Sequence, residues 1–286
     1  VRIVRTASVT AASVPVLARS AYFIFLNFRQ NSTLFDEKAV SRNDCQHLIS
    51  KSNDPMMQKS DLTFEYSDDS AYLCSFPIAP LDCNATVVVC RNTGKAAVID
   101  PGGDIPELLE VINAENAVLT EILLTHAHFD HCMSIDIITE ERKNSIQNIM
   151  LHQDDFTWYE NIPLMAGRFG VQISNEKKFP EITQNLSDGD ELTIGNIHVK
   201  VIHTPGHSAG SVCFYLKDLN VLIAGDTLFQ GSIGRTDLPG GSFEIISDSI
   251  RNKLYLLPEQ TAVITGHGPA TSIGIEKKSN AFVRMS

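Results

Sequence analysis

Hydrophobic and polar positions follow two rhythms along this chain, and both begin only after a long polar lead. Residues 36–62 are mixed in charge and aperiodic, and they read as a linker. From residue 63 onward, short β-branched runs alternate with stretches of helical period. Runs 85–90 and 96–100 predict strands, the second ended by Pro101-Gly102-Gly103. Asp104 and Glu107 are spaced as a capping box that opens a helix, with Ile105, Leu108, Leu109 and Ile112 on one face. Residues 117–124 predict a buried strand running straight into Thr125-His126-Ala127-His128. Further strands are expected at 148–151, 192–202, 212–216, 221–224 and 263–264, with a hairpin around Lys217-Asp218-Leu219-Asn220. Phe243, Ile246, Ile250 and Leu254 line a helix that stops before Pro258. Hairpins mixed with strand–helix units predict an α/β domain over 63–286, with two sheets covered by helices rather than one doubly wound parallel sheet.

Composition narrows the function. The chain has 286 residues and a formal charge of −11, so its surface repels phosphate backbones and a general nucleic-acid partner is not expected. Its longest apolar run, 21–28, is far short of the ~20 residues a bilayer-crossing helix needs, so no membrane partner is expected either. Six cysteines without a CxxC pair suggest reduced intracellular thiols. Residues 1–35 contain Arg2, Arg5, Arg19 and Arg29, many Ser and Thr, and no acid. That composition suits an organelle transit peptide, to a mitochondrion for example; the alternatives are a disordered tail and a cytoplasmic protein.

The candidate chemistry lies at strand ends. In His126-x-His128-x-Asp130-His131, period-two alternation on an extended segment would turn residues 126, 128 and 130 to one side, with His131 joining as the next helix starts. Imidazoles with a carboxylate suit zinc or iron, and four donors in one loop can serve two ions. His207 follows a Pro205-Gly206 turn. Asp226 ends an apolar run, where a carboxylate is costly to desolvate unless cations share it. His267 sits between Gly266 and Gly268, and Asp100 is expected to orient a histidine from behind. His152, His198 and His203 are expected to be structural, with His203 near enough to orient a ligand. Cys132 is a spare donor beside His131, and Trp158, Tyr159, Met165 and Phe169 form an insert that either walls the site or, as such residues do more often, packs between short helices.

His126–His131, Thr204–Ser211, Gly225-Asp226 and Gly266–Pro269 together resemble the metallo-β-lactamase superfamily. Phe76-Pro77-Ile78, residues 98–103 and Gly225-Asp226-Thr227-Leu228-Phe229 are most similar to its glyoxalase II-like branch, in a short form without the C-terminal helical domain. The resemblance implies a four-layer αβ/βα sandwich with two divalent metal ions, zinc first and iron or manganese as alternatives. It implies one metal on His126, His128, His207 and Asp226, and a second on Asp130, His131, His267 and Asp226, with Asp226 bridging. It further implies hydrolysis of a small-molecule thioester such as S-lactoylglutathione by a bridging hydroxide, with Asp130 as a proton acceptor. Antibiotic hydrolysis is disfavoured, because true β-lactamases lack an acid at the place of Asp226.

Arg235 stands where the branch holds the glutathione glycine carboxylate, but Asp237 and Pro269 replace two tyrosines of that pocket. The alternative within the superfamily is a mononuclear iron persulfide dioxygenase, which shares the Gly234-Arg235-Thr236-Asp237 stretch. A non-catalytic metal-binding module is a third reading, disfavoured by the complete set of donors.

Overall fold

The computed structural model describes residues 62–174 and 177–285. The expected transit peptide and nearly all of the expected linker lie outside the described residues. Two large sheets form the body. The first runs in spatial order through β1 (Phe64–Ser67), β2 (Ala71–Ile78), β3 (Cys83–Cys90), β4 (Lys95–Ile99), β5 (Val118–Leu123), β6 (Asn148–His152) and β7 (Gln184–Leu186). Its first four strands are antiparallel and its last three add in parallel. The second sheet contains β8 (Glu191–Ile194), β9 (Ile197–His203), β10 (Val212–Leu216), β11 (Val221–Ile223), β14 (Ala262–Ile264) and β15 (Thr271–Ser272), ordered 15-14-11-10-9-8. A small ribbon of β12 (Leu228–Phe229) and β13 (Ser232–Ile233) lies beside it in sequence.

Strand alternation explains the layering. In β3 every residue is buried, yet Ala85, Val87 and Val89 join an outer core while Val88 and Cys90 join a central one. In β10, Val212, Phe214 and Leu216 meet that central core, and Cys213 and Tyr215 face the other way. Each sheet therefore buries both faces, one against its partner sheet and one against helices. The outer face of the first sheet is covered by α1 (Pro106–Ala114), α2 (Phe129–Cys132), α3 (Ile135–Glu141), α4 (Phe156–Glu160) and α5 (Ile162–Arg168). The far face of the second is covered by α6 (Phe243–Asn252) and α7 (Ile273–Ser279). This is the expected four-layer α/β sandwich.

Local details differ from the sequence reading. The first helix starts at Pro106 with Ile105 as its N-cap and no side-chain cap bond, so the Asp104–Glu107 box does not form. Pro106 supplies the preset φ of a first helical residue and needs no donor. The expected strand 192–202 is a hairpin, β8 and β9, folded at Gly195 in left-handed backbone (φ 59°). Helix α6 ends at Asn252, and Leu254 belongs to a following 3-10 turn.

The sheets are stitched at one end. Val212 N donates to Thr125 O at 2.8 Å, Asn84 N to Gly266 O at 2.7 Å, and Asn84 Nδ2 to Thr265 O at 2.8 Å. The segments that follow β4, β5, β9, β11 and β14 gather along this stitched rim.

Candidate metal centre

β5 ends at Leu123, the chain bends at Thr125, and His128, in extended backbone with ψ 143°, is the N-cap of α2. His126 and His128 therefore come from the loop between β5 and α2, but Asp130 and His131 come from the first turn of that helix. The expectation that residues 126, 128 and 130 share one side of a strand is corrected here: the helix begins at Phe129 and brings Asp130 in by rotation. Asp226 follows β11 at a turn with Gly225 in left-handed backbone (φ 49°). Any side chain at Gly266 would collide with the Asp226 carboxylate. Glycine is what lets the two segments meet.

These residues converge as two groups. His126 Nε2 lies 3.1 Å from His128 Nδ1, and His207 Nε2 lies 2.9 Å from that same His128 nitrogen. In the second group, His267 Nε2 is 3.3 Å from Asp130 Oδ2. Asp226 stands between them, with Oδ2 3.5 Å from His207 Nε2 and Oδ1 3.4 Å from His131 Nε2. Three donor triads result: His126-His128-His207, His126-His131-Asp226 and Asp130-His131-His267. All seven expected donors are present at one rim.

What lies behind the histidines explains why they aim inward. His207 Nδ1 meets the Arg235 carbonyl at 2.9 Å, His267 Nδ1 the Asp82 carbonyl at 3.1 Å, and His131 Nδ1 the Asp100 carboxylate at 3.0 Å. Thr125 Oγ1 donates to Asp100 Oδ2 at 2.6 Å and lies 3.1 Å from His126 Nδ1. Each outer partner is an acceptor, which assigns the proton to Nδ1 and leaves the Nε2 lone pair facing the cluster. His131 Nε2 and Asp226 Oδ1 are buried and have no hydrogen-bond partner. Orphaned polar atoms at the centre of a histidine–carboxylate cluster fit metal ions, and this donor set suits zinc or iron.

Asp100 does what the sequence reading expected of it. Its backbone is left-handed (φ 52°), a conformation that costs a non-glycine residue about 1 kcal/mol or more. That conformation lets one carboxylate accept from Thr125 N at 2.8 Å, from Thr125 Oγ1 and from His131.

Among the protein groups alone, the two halves differ in charge. Burial, reinforced by His207, pushes His128 down to about 3, and burial with the neighbouring imidazoles holds His126 well below its ordinary value. In the other half burial is overcome. The hydrogen bond from His267 and the charge of His131 hold Asp130 down at about 2, and His131 and His267 hold Asp226 well below the carboxylate range. Against burial, Cys83, Asp226 and Asp100 raise His131, and Asp226 and Asp130 raise His267.

Sequence reasoning missed Asp155. It is fully buried and accepts from Ala127 N at 3.0 Å, Ser208 Oγ at 2.7 Å and Gly210 N at 2.7 Å. One carboxylate thereby ties the His126–His128 segment to the His207 loop. Two adjacent acids ahead of an aromatic helix, Asp154 and Asp155, were its only trace in the sequence.

Other residues sort differently. Cys132 Sγ donates to the His128 carbonyl and stays out of the cluster. His203 Nε2 meets Ala209 O at 2.9 Å in the His207 loop, and its ring stacks on His152 at 4.2 Å and 8°. His152, Asp154 and His203 form a further donor group, but parallel rings set their lone pairs side by side rather than toward one point. His198 pairs with Asp218 at the surface. Trp158 stands edge-on to His128, with ring centroids 5.4 Å apart, so this one residue of the insert reaches the cluster, whereas Tyr159 and Met165 pack in the outer core and Phe169 lies against Phe129. Arg235 Nε and Nη2 bind Asp237 Oδ1 and Oδ2, both at 2.8 Å.

The family model described as the metallo-beta-lactamase superfamily matches residues 78–267. The chain belongs to that superfamily. A probable metallo-hydrolase of Bacillus subtilis, YqgX, is 38% identical over 210 residues, 72% of this chain and 95% of its own length. The hydroxyacylglutathione hydrolase GloC of Haemophilus influenzae is 36% identical over 207 residues, 72% of this chain and 95% of its own. Among solved structures, the B3 metallo-beta-lactamase BLEG-1 is 40% identical with a TM-score of 0.66, covering 74% of this chain and 99% of that one. A di-iron-bound form of TTHA1623 is 35% identical with a TM-score of 0.64, covering 73% and 98%. The superfamily thus accounts for the sandwich and for donors gathered at its rim.

Proposed function

We propose that this protein is a metal-dependent thioester hydrolase with two ions, one held by His126, His128, His207 and Asp226, the other by Asp130, His131, His267 and Asp226. The observation that carries this reading is Asp226, whose two oxygens address the two donor groups separately. Similarity to a relative named as a hydroxyacylglutathione hydrolase supports the reaction class. When bound, such ions supply a water acidified to near neutrality and a Lewis acid for the thioester carbonyl.

The chain's own groups do the rest. The outer acceptors on four imidazoles keep the donors oriented without reorganisation during turnover. Asp130, held ionised beside His267, takes the proton of the attacking water at its Oδ atoms. Departure of the thiol needs little assistance, because a thiolate is a stable leaving group with a conjugate-acid pKa near ~8.5.

The test is hydrolysis of S-lactoylglutathione by the purified full chain, with and without oxygen, beside a metal assay. Cleavage without oxygen, about two ions per chain and loss of activity on chelation are expected. Oxygen uptake with a persulfide and a single iron would replace this reading with the dioxygenase. A β-lactam serves as the counter-substrate, given the likeness to a B3 metallo-beta-lactamase. Ring opening without thioester cleavage would also overturn the proposal.

A further inference from the structure

Beside His128 lies a cleft of about 390 Å³ lined by Thr157, Trp158, Asn161, Met165, Pro239 and Gly240. None of these six residues is charged. One Asn161 Nδ2–H is taken up within the helix, donating to Thr157 O at 2.8 Å. One wall is the insert of α4 and α5, and the other is the loop that carries Arg235. That loop is fastened to the metal rim, because the Arg235 carbonyl receives the His207 Nδ1 bond and Ser242 N donates to Gly206 O at 2.8 Å. Trp158 belongs both to the cleft and, through its edge contact with His128, to the donor cluster. The cleft therefore adjoins the site, with Trp158 shared between the two.

The arginine carried by the loop wall is already engaged. Arg235 is engaged through a two-pronged contact with Asp237 on an exposed surface, with side chains 45% and 68% accessible. A substrate carboxylate could reach only the remaining Nη1 side of the guanidinium, where it would sit beside the Asp237 charge. On an exposed surface, with the cation already paired and a like charge adjacent, that contact yields little affinity. Thiol carriers such as glutathione bear carboxylates and amides along their length, whereas an acyl group can be wholly hydrocarbon. An uncharged, largely apolar cleft discriminates in favour of the acyl group.

We propose that the cleft beside His128 is an acyl-binding pocket, that Trp158 is its specificity-determining residue, and that the enzyme prefers thioesters with apolar acyl chains while ignoring the carboxylates of the thiol. This rests on the thioester-hydrolase reading and names its substrate class. Extending the acyl group buries methylenes against Trp158 and Met165, each of which favours binding.

The first measurement is kcat/KM for acetyl, butyryl and hexanoyl thioesters of N-acetylcysteamine, an uncharged thiol. A rise of at least about tenfold from acetyl to hexanoyl is expected in the wild type. In Trp158→Ala, with its metal content verified, the series should flatten to within about threefold. The second is the ratio for one acyl group on glutathione against N-acetylcysteamine. It should stay within about threefold in the wild type and shift toward glutathione in Asp237→Ala, which frees Arg235. A flat wild-type chain-length series, or a wild-type preference for glutathione above about tenfold, would overturn the proposal.

A third readout is independent of turnover. Trp158 is the single tryptophan of the chain, so its fluorescence reports on the cleft directly. The hexanoyl amide analogue of the thioester should perturb it saturably, and the acetyl amide at least about tenfold more weakly. If no thioester is cleaved, the hydrolase reading fails while this titration still decides the pocket. Equal binding of both amides would sink the pocket even if thioesters are cleaved.

Discussion

The two halves of the donor cluster use different chemistry within a few ångströms. One is three buried imidazoles, His126, His128 and His207, with His126 and His128 pressed toward neutrality by burial and by one another. The other contains Asp130 with His131 and His267, whose imidazoles are pushed toward the protonated form by the carboxylates. The imidazole half offers lone pairs at no charge, so its grip depends on geometry. The carboxylate half carries negative charge and must give up protons before it grips. The lesson is that a nearly symmetric list of ligands conceals two unlike sites, with Asp226 facing both.

The substitution expected to do most is Asp226→Ala, which removes the one group common to both halves. Metal content should fall toward zero, and the proposed thioesterase activity should drop by about a thousandfold or more, as measured by metal assay and turnover. Retention of wild-type turnover would sever the two halves and end the bridging role.

Next comes Asp155→Ala, which should act on the imidazole half. Removing a fully buried acceptor strands the donors of Ala127, Ser208 and Gly210, at a cost of about 2–5 kcal/mol in urea unfolding. The ion on His126, His128 and His207 should be lost before its neighbour in a chelator titration. Simultaneous loss would show that Asp155 supports the fold without favouring either half.

Asp100→Asn is the counterpart on the other side, keeping size while weakening the acceptor behind His131. A fall of about 10–100-fold in metal affinity is expected, concentrated in the carboxylate half. Last is Cys132→Ala, whose thiol bonds only the His128 carbonyl. It should cost about 1 kcal/mol of stability and leave metal content unchanged, and a metal deficit would make it a donor after all.

The same contrast explains what could be read in the sequence. His126, His128, His207, Asp226 and His267 were legible because each lies just beyond a strand end, a place with little structural use for a titratable side chain, and His131 was legible from its place in the same short motif. The layers were legible from strand alternation, as in β3 and β10. Asp155 was not, since its partners lie 28, 53 and 55 residues away and two of its bonds go to backbone amides, which have no residue signature. Asp104 misled because a capping spacing is only a local preference, overridden here by Pro106. Arg235 and Asp237 stand only two positions apart, yet only geometry shows that the two side chains face one another.

The stitched rim has one more consequence. Four of the seven donors come from the segment leaving β5 in the first sheet and three from segments leaving the second, so an ion held here adds a further fastening to the hydrogen bonds and apolar packing that hold the two sheets together. Anything that binds the closed arrangement and not the open one weights the equilibrium by its occupancy. Loading this site is therefore also an act of assembly, and a cell short of the ion would hold a protein that comes apart more easily as well as one that does not turn over.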